Sequence, residues 1–119
     1  MEQDLLNHRL IDASKKGDIN TVKQLIENGA DVHTDNDDAL TMAALNGHLE
    51  VVKYLVEQGA DIHALNDVAL REAAEKGHLE VLKYLVEHGA NIHAKDDLAI
   101  RWAKDRNQIE VVKYLESLP

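Results

Sequence analysis

The chain has 119 residues, a formal net charge of −9 and no cysteine, and 45% of its residues are hydrophobic. This length and composition predict one folded domain, and the absence of cysteine excludes disulfides and thiolate metal ligands. The acidic excess argues against nucleic acid as the partner, because binding a polyanion depends on Lys and Arg, and no apolar run approaches the roughly 18 residues of a membrane span.

Nearly the same segment occurs three times at a spacing of 30 residues: "ENGADVHTDND" from Glu27, "EQGADIHALND" from Glu57 and "EHGANIHAKDD" from Glu87. Residues 37–66 and 67–96 are identical at 20 of 30 positions. Repeats with this spacing predict a solenoid, in which each unit contacts only its neighbours. We divide the chain into a first unit at 1–36, a second at 37–66, a third at 67–96 and a fourth at 97–119.

Each unit is predicted to form two short helices. In the second unit, the Asp37 carboxylate is suited to cap the amides of the first helix. Gly47 ends that helix, where a left-handed residue is least costly as glycine, and Gly59 ends the second helix, His48–Gln58. The residues with these structural roles in the array are Asp37, Asp67, Asp97, Gly47, Gly77, Gly59 and Gly89.

The terminal units differ from the central ones at positions that should face a neighbouring unit. Glu116 and Lys104 in the fourth unit stand where the third unit has Val86 and Ala74. Polar residues of this kind are typical of the capping units that close a stack. We therefore expect 1–36 and 97–119 to be capping units of one complete array, and the protein to be a monomer.

The segment "ALNGHLEVVKYLVEQGADIHA" from Ala44 to Ala64, with its copy from Ala74 to Ala94, resembles the ankyrin repeat. That family has a period of about 33 residues and a T-P-L-H signature, whereas this chain has a period of 30 and Asp38-Ala39-Leu40-Thr41 at the signature. The missing residues fall where ankyrins form a β-hairpin finger. The resemblance implies an all-α solenoid of four stacked helix-turn-helix repeats with shortened loops in place of fingers. This compact variant is similar to ankyrin arrays of giant viruses and of some host-interacting microbes.

Ten positions differ between the second and third units, and five of them are 38, 41, 42, 45 and 46. This spacing places them on one face of the first helix, opposite the identical positions 39, 40, 43 and 44. The resemblance implies that this helix lies on the concave, partner-binding side. The candidate partner-binding residues are Asp38, Thr41, Met42, Leu45, Asn46, Arg71, Glu72, Glu75, Lys76, Arg101, Trp102, Asp105 and Arg106. The alternatives are that solvated positions vary freely, and that Trp102 packs between neighbouring helices.

Three histidines recur at the repeat spacing: His33, His63 and His93. Ligands of one metal ion lie about 3–4 Å apart, whereas stacked helices lie roughly 8–10 Å apart. We therefore expect no metal site. Each histidine is predicted to bond the loop backbone, at the position where ankyrins commonly carry Asn.

The resemblance implies a non-enzymatic module that binds a partner protein and needs no cofactor. The residues agree, since the chain lacks Cys, has only two Ser and contains no glycine-rich phosphate loop. One alternative is an engineered or purely structural repeat protein without a natural ligand. Another is an acidic mimic that blocks a basic partner, with an affinity that falls steeply with salt. By default we expect an intracellular protein.

Overall fold

The computed structural model describes residues 2–119, which form eight helices arranged as four pairs. Within this part of the chain there is no β-strand, and the predicted all-α stack of helix pairs is confirmed. The helices are α1 (Glu2–Lys16), α2 (Ile19–Glu27), α3 (Thr34–Leu45), α4 (Leu49–Glu57), α5 (Ala64–Lys76), α6 (Leu79–Glu87), α7 (Ala94–Asp105) and α8 (Ile109–Glu116).

The helices lie in two layers. The first helices of the units (α1, α3, α5 and α7) pack side by side, and each second helix (α2, α4, α6 and α8) packs against the first helix of its own unit. Packing between units is much closer among the first helices than among the second helices. The stack measures 44 × 22 × 21 Å, an elongated shape that follows from adding units along one axis.

Small side chains allow the close packing of the first helices. Ala43, Ala44, Ala73 and Ala74 are all 0% exposed, and the larger Leu and Val side chains of the second helices fill the space beside them. The buried residues form one continuous cluster along the stack. No unit could bury this apolar surface alone, which is why the same core positions recur in each unit.

A turn of left-handed backbone begins α3, α5 and α7. Three consecutive residues have φ between 50° and 61° in each case, at 35–37, 65–67 and 95–97. We refer to these segments as the left-handed turns. Asn and Asp tolerate this conformation better than other non-glycine residues, and they fill most of these positions; Leu65 and Lys95 are the exceptions. The turn takes the place of the ankyrin finger.

The aspartate that ends each left-handed turn has a partner different from the one expected. The Asp37 carboxylate accepts a hydrogen bond from the backbone N–H of Asp61, at 2.7 Å, in the next unit. Asp67 accepts in the same way from Asn91, at 2.8 Å. These two buried carboxylates therefore tie neighbouring units together, whereas we expected them to cap their own helix; Asp97 is exposed.

The three repeated histidines contact these aspartates, which corrects the expectation that their rings bond the loop backbone. His33 Nδ1 lies 3.0 Å from an oxygen of Asp37, and His63 Nδ1 lies at the same distance from Asp67. His93 pairs in the same way with Asp97. The backbone N–H of each histidine donates to the side chain two residues earlier.

A second contact between units forms at the ends of α1, α3 and α5. Gly47 has a φ of +74°, and a Cβ placed on it would lie 2.5 Å from Nδ1 of His78 in the next unit. Gly17 approaches His48 equally closely. In the fourth unit the approaching residue is Gln108, whose Nε2 donates to the carbonyl of Glu75 at 2.9 Å. Glycine is thus required at this position both by the backbone dihedrals and by the neighbouring side chain.

Candidate functional site

The candidate residues lie on the right-handed parts of α3, α5 and α7, which begin after the left-handed turns, except that Asn46 and Arg106 directly follow α3 and α7 as their C-caps. Their spacing keeps them off the alanine face that packs between units. Asp38, Thr41, Met42, Leu45, Glu72, Glu75 and Trp102 are half-buried, Asn46, Lys76, Arg101, Asp105 and Arg106 are exposed, and Arg71 is buried. We call this set without Arg71 the first-helix face.

Arg71 does not belong to an open surface, and the structure corrects the expectation that it does. Its side chain is only 7% exposed. Its Nε donates to the carbonyl of Asn66 at 3.0 Å and its Nη2 donates to the carbonyl of Leu65 at 2.8 Å. Arg71 therefore supports the left-handed turn of its own unit and is not available to a partner. The spacing of variable positions cannot reveal this local role.

Trp102 packs on Arg71 and remains partly open to solvent. The guanidinium of Arg71 lies 5.6 Å from the centroid of the Trp102 ring, a cation–π distance. This contact joins α5 to α7. Of the two interpretations of Trp102, packing is therefore observed, and the half-buried ring keeps surface that a partner could contact.

The middle of the first-helix face is acidic. Burial raises the pKa of the Glu72 carboxyl, and the nearby Glu75 raises it further. Burial also raises the pKa of Asp38, with a contribution from Asp35. Glu75 is paired with Arg106 of α7 at 3.3 Å, so the carboxylates at 38 and 72 are the ones held in an unfavourable environment.

A cleft of about 480 Å³ extends the surface onto α1. Its lining residues are His8, Arg9, Ile11, Asp12, Lys15 and Met42. The α1 residues were not among the predicted site residues, because the first unit matches the repeat loosely. A signal was nevertheless present, since positions 8, 11, 12 and 15 lie 30 residues before the variable positions 38, 41, 42 and 45.

The opposite side of the stack has a regular arrangement that sequence reasoning missed. Lysines of one second helix lie over tyrosine rings of the next, with Lys23 5.6 Å from the Tyr54 centroid and Lys53 5.9 Å from the Tyr84 centroid. Lys83 and Tyr114 continue the series at 5.6 Å. The signal was the spacing of 31 residues between each lysine and its tyrosine. These contacts join neighbouring units, so the outer residues of the second helices help to stabilise the stack.

Between residues 2 and 119, no group of three or more His, Asp or Glu side chains is placed to hold a metal ion. Over the same residues, no helix has both the length and the apolar character required to cross a membrane. The geometry of the first-helix face is that of a shallow surface with apolar and charged groups side by side.

No curated protein shows a significant match to the chain. A family profile described as "Ankyrin repeats (3 copies)" matches residues 10–96, well over half of the chain. Ankyrin repeats are non-catalytic and generally serve as protein–protein interaction modules. The helix pairs, their stacking and this match together lead to one conclusion: the chain belongs to the ankyrin repeat family.

Proposed function

We propose that this chain binds a partner protein through the first-helix face. The observation that carries the proposal is the exposure of that face: Met42, Leu45 and Trp102 are large apolar residues that the stack leaves partly uncovered. Interfaces typically combine a few large apolar anchors with polar surroundings. The second helices, in contrast, use their outer residues for contacts between units.

The closer packing of the first helices supports a concave surface on their side. When one layer of a stack is packed more tightly than the other, the stack curves towards the tighter layer. A partner segment lying along this side would contact α1, α3, α5 and α7 in turn. The cleft at Ile11 and Met42 would receive an apolar side chain at the N-terminal end, and Trp102 would contact the partner at the other end.

The shortened loops favour helix-mediated binding. Left-handed turns of three residues stand where ankyrins have fingers, so little protruding loop is left for a partner to contact. The similarity of this compact variant to giant-virus arrays stays an interpretation of the sequence alone.

The test is affinity capture followed by mass spectrometry, comparing the wild type with the double variant Met42→Glu and Leu45→Glu. Both replacements place the residue that the third unit carries at the same positions, Glu72 and Glu75, so the fold should be retained. The wild type should capture a partner and the double variant should lose it. Capture of the same partner by both proteins would contradict the proposal.

A matched control is available outside the first-helix face. The double variant Gln58→His and Asp61→Asn also exchanges second-unit residues for those of the third unit, at exposed positions near the end of α4. It should capture the partner as well as the wild type does. Circular dichroism of all three proteins verifies equal helix content. Absence of any captured partner would favour a purely structural or engineered repeat protein.

A further inference from the structure

Two of the left-handed turns bind an arginine side chain through a pair of backbone carbonyls. In the third unit, Arg71 donates from Nε and Nη2 to residues 66 and 65. In the fourth unit, Arg101 donates in the same way to Asp96, at 3.0 Å, and to Lys95, at 3.2 Å. The carbonyls lie five and six residues before the arginine in both cases. The turn thus forms the same guanidinium-binding geometry twice.

The second unit has the turn but not the arginine. Residues 35–37 have φ values of 51°, 57° and 61°, against 50°, 56° and 59° for residues 65–67. The backbone carbonyls of Asp35 and Asn36 are therefore oriented as in the other two turns. The position of the arginine is taken by Thr41, whose hydroxyl is attached directly to Cβ and lacks the reach of the long guanidinium side chain. We call the carbonyl oxygens of Asp35 and Asn36 the carbonyl pair of the second unit.

Acidic residues are concentrated near the carbonyl pair. Asp35 belongs to the turn itself, and Asp38 lies one helical turn before Thr41. Glu72 of α5 corresponds by the 30-residue repeat to Trp102 of α7, and Trp102 packs against Arg71 of the preceding unit. By the same correspondence, Glu72 lies on the helix next to Thr41. Arg71, on the neighbouring helix α5, is buried and already bonded to its own turn. A cation at the carbonyl pair would thus lie next to acidic residues of the turn and of α3, where burial and the nearby Asp35 already raise the pKa of Asp38.

We propose that the carbonyl pair of the second unit binds an arginine side chain of the partner protein. The inference rests on the proposed function, and it specifies the partner chemistry: a segment that presents a guanidinium to α3. Arginine is favoured over lysine because its planar fork donates two parallel hydrogen bonds to two fixed acceptors. The raised pKa of Asp38 is consistent with this, because a bound cation would stabilise that carboxylate.

A small probe tests the site without knowledge of the partner. ¹⁵N-labelled protein is titrated with N-acetyl-argininamide, and amide chemical shifts are followed by NMR. Residues 35–41 should show saturable shifts, and N-acetyl-lysinamide should bind more weakly. The Thr41→Arg variant should lose the response, because its own side chain occupies the carbonyl pair. The isosteric Thr41→Val variant should keep it.

Two results would overturn the inference: no saturable shift at residues 35–41, or an undiminished response in Thr41→Arg. A gain in the melting temperature of Thr41→Arg over Thr41→Val would support it, since the introduced guanidinium would repeat the bonds of Arg71. The outcome is separable from that of the proposed function. If the probe fails while Met42→Glu and Leu45→Glu still abolish capture, the first-helix face stands and only the arginine site is lost.

Discussion

Replacement of Gly47 by alanine should destabilise the protein by much more than the same replacement at Gly59. Both glycines have positive φ, +74° and +97° respectively. Holding an alanine in left-handed backbone costs about 1–2 kcal/mol at either position. The φ of Gly59 lies further from the ordinary left-handed region of L-residues, so the backbone cost there is at least as large.

The difference arises from the surroundings. A Cβ at position 59 has no atom within 4 Å, whereas a Cβ at 47 would lie 2.5 Å from Nδ1 and 2.9 Å from Cγ of His78. Rotation of the imidazole about χ2 leaves Cγ in place, so the ring must move away as a whole or the two units must separate. Overpacking of this kind costs about 1–3 kcal/mol. We therefore expect about 2–5 kcal/mol for Gly47→Ala and about 1–2 kcal/mol for Gly59→Ala.

Urea denaturation followed by circular dichroism at 222 nm measures both values. Adding His78→Ala to each variant completes the test, because removal of the ring should recover much of the loss at position 47 and none of the loss at position 59. The coupling energy between 47 and 78 should lie in the range of about 0.5–3 kcal/mol that contacting residues show. Equal destabilisation by the two glycine replacements would refute the role of Gly47 in contact between units.

Three further comparisons follow from the structure. Asp67→Ala should lower the free energy of unfolding by about 1–3 kcal/mol, because it leaves the backbone N–H of Asn91 without its acceptor. Asp97→Ala, at an exposed position, should lower it clearly less in the same urea assay. Arg71→Ala should lower the free energy of unfolding by about 1–3 kcal/mol, because it removes two hydrogen bonds and the contact with the indole of Trp102. Arg101→Ala should lower it less, because Arg101 is exposed. Equal losses of stability in the two variants would contradict the importance of burial. Glu72→Gln should raise the free energy of unfolding at pH 7, because the folded-state pKa of this carboxyl is raised above its ordinary 4.5. That gain should disappear as the pH falls below about 4.5, where the carboxyl is protonated in both states, and a gain that persists at pH 3 would contradict the assignment.

The repeat spacing predicted the stacked units, because core positions recur in them as Ala43 and Ala73 or Leu55 and Leu85, and Gly47 and Gly59 predicted where the two helices of a unit end. The contacts between units were harder to predict. Asp37 stands before a helix and has the residue type of a cap, yet its carboxylate bonds Asp61, 24 residues later, because the helix pair α3 and α4 brings the chain back beside the turn. A sequence pattern reports local preference, and this bond depends on the position of a neighbouring unit.

For the candidate surface too, the sequence predicted the local helix face but not the contacts that individual side chains make. The spacing of positions 38, 41, 42, 45 and 46 predicted one face of the helix outside the core, and these residues are half-buried or exposed. It could not separate Arg71 from the rest, because a long side chain can leave the face where it originates and bond backbone five residues away. A position that varies between units lies outside the repeated core, and its side chain can either bond within its own unit or contact a partner.

The 30-residue period and the arginine contacts have a common physical origin. A turn of three left-handed residues followed by a right-handed helix reverses the helical hand, which interrupts the regular i to i−4 hydrogen-bonding pattern and turns carbonyls towards side chains. The third and fourth units supply the donor themselves, through Arg71 and Arg101. The second unit has the same backbone but carries Thr41, so it has no guanidinium of its own at this position. Loss of the finger therefore removes one ankyrin contact surface and, in the second unit, creates a polar site at the edge of the first-helix face where a partner arginine can bind.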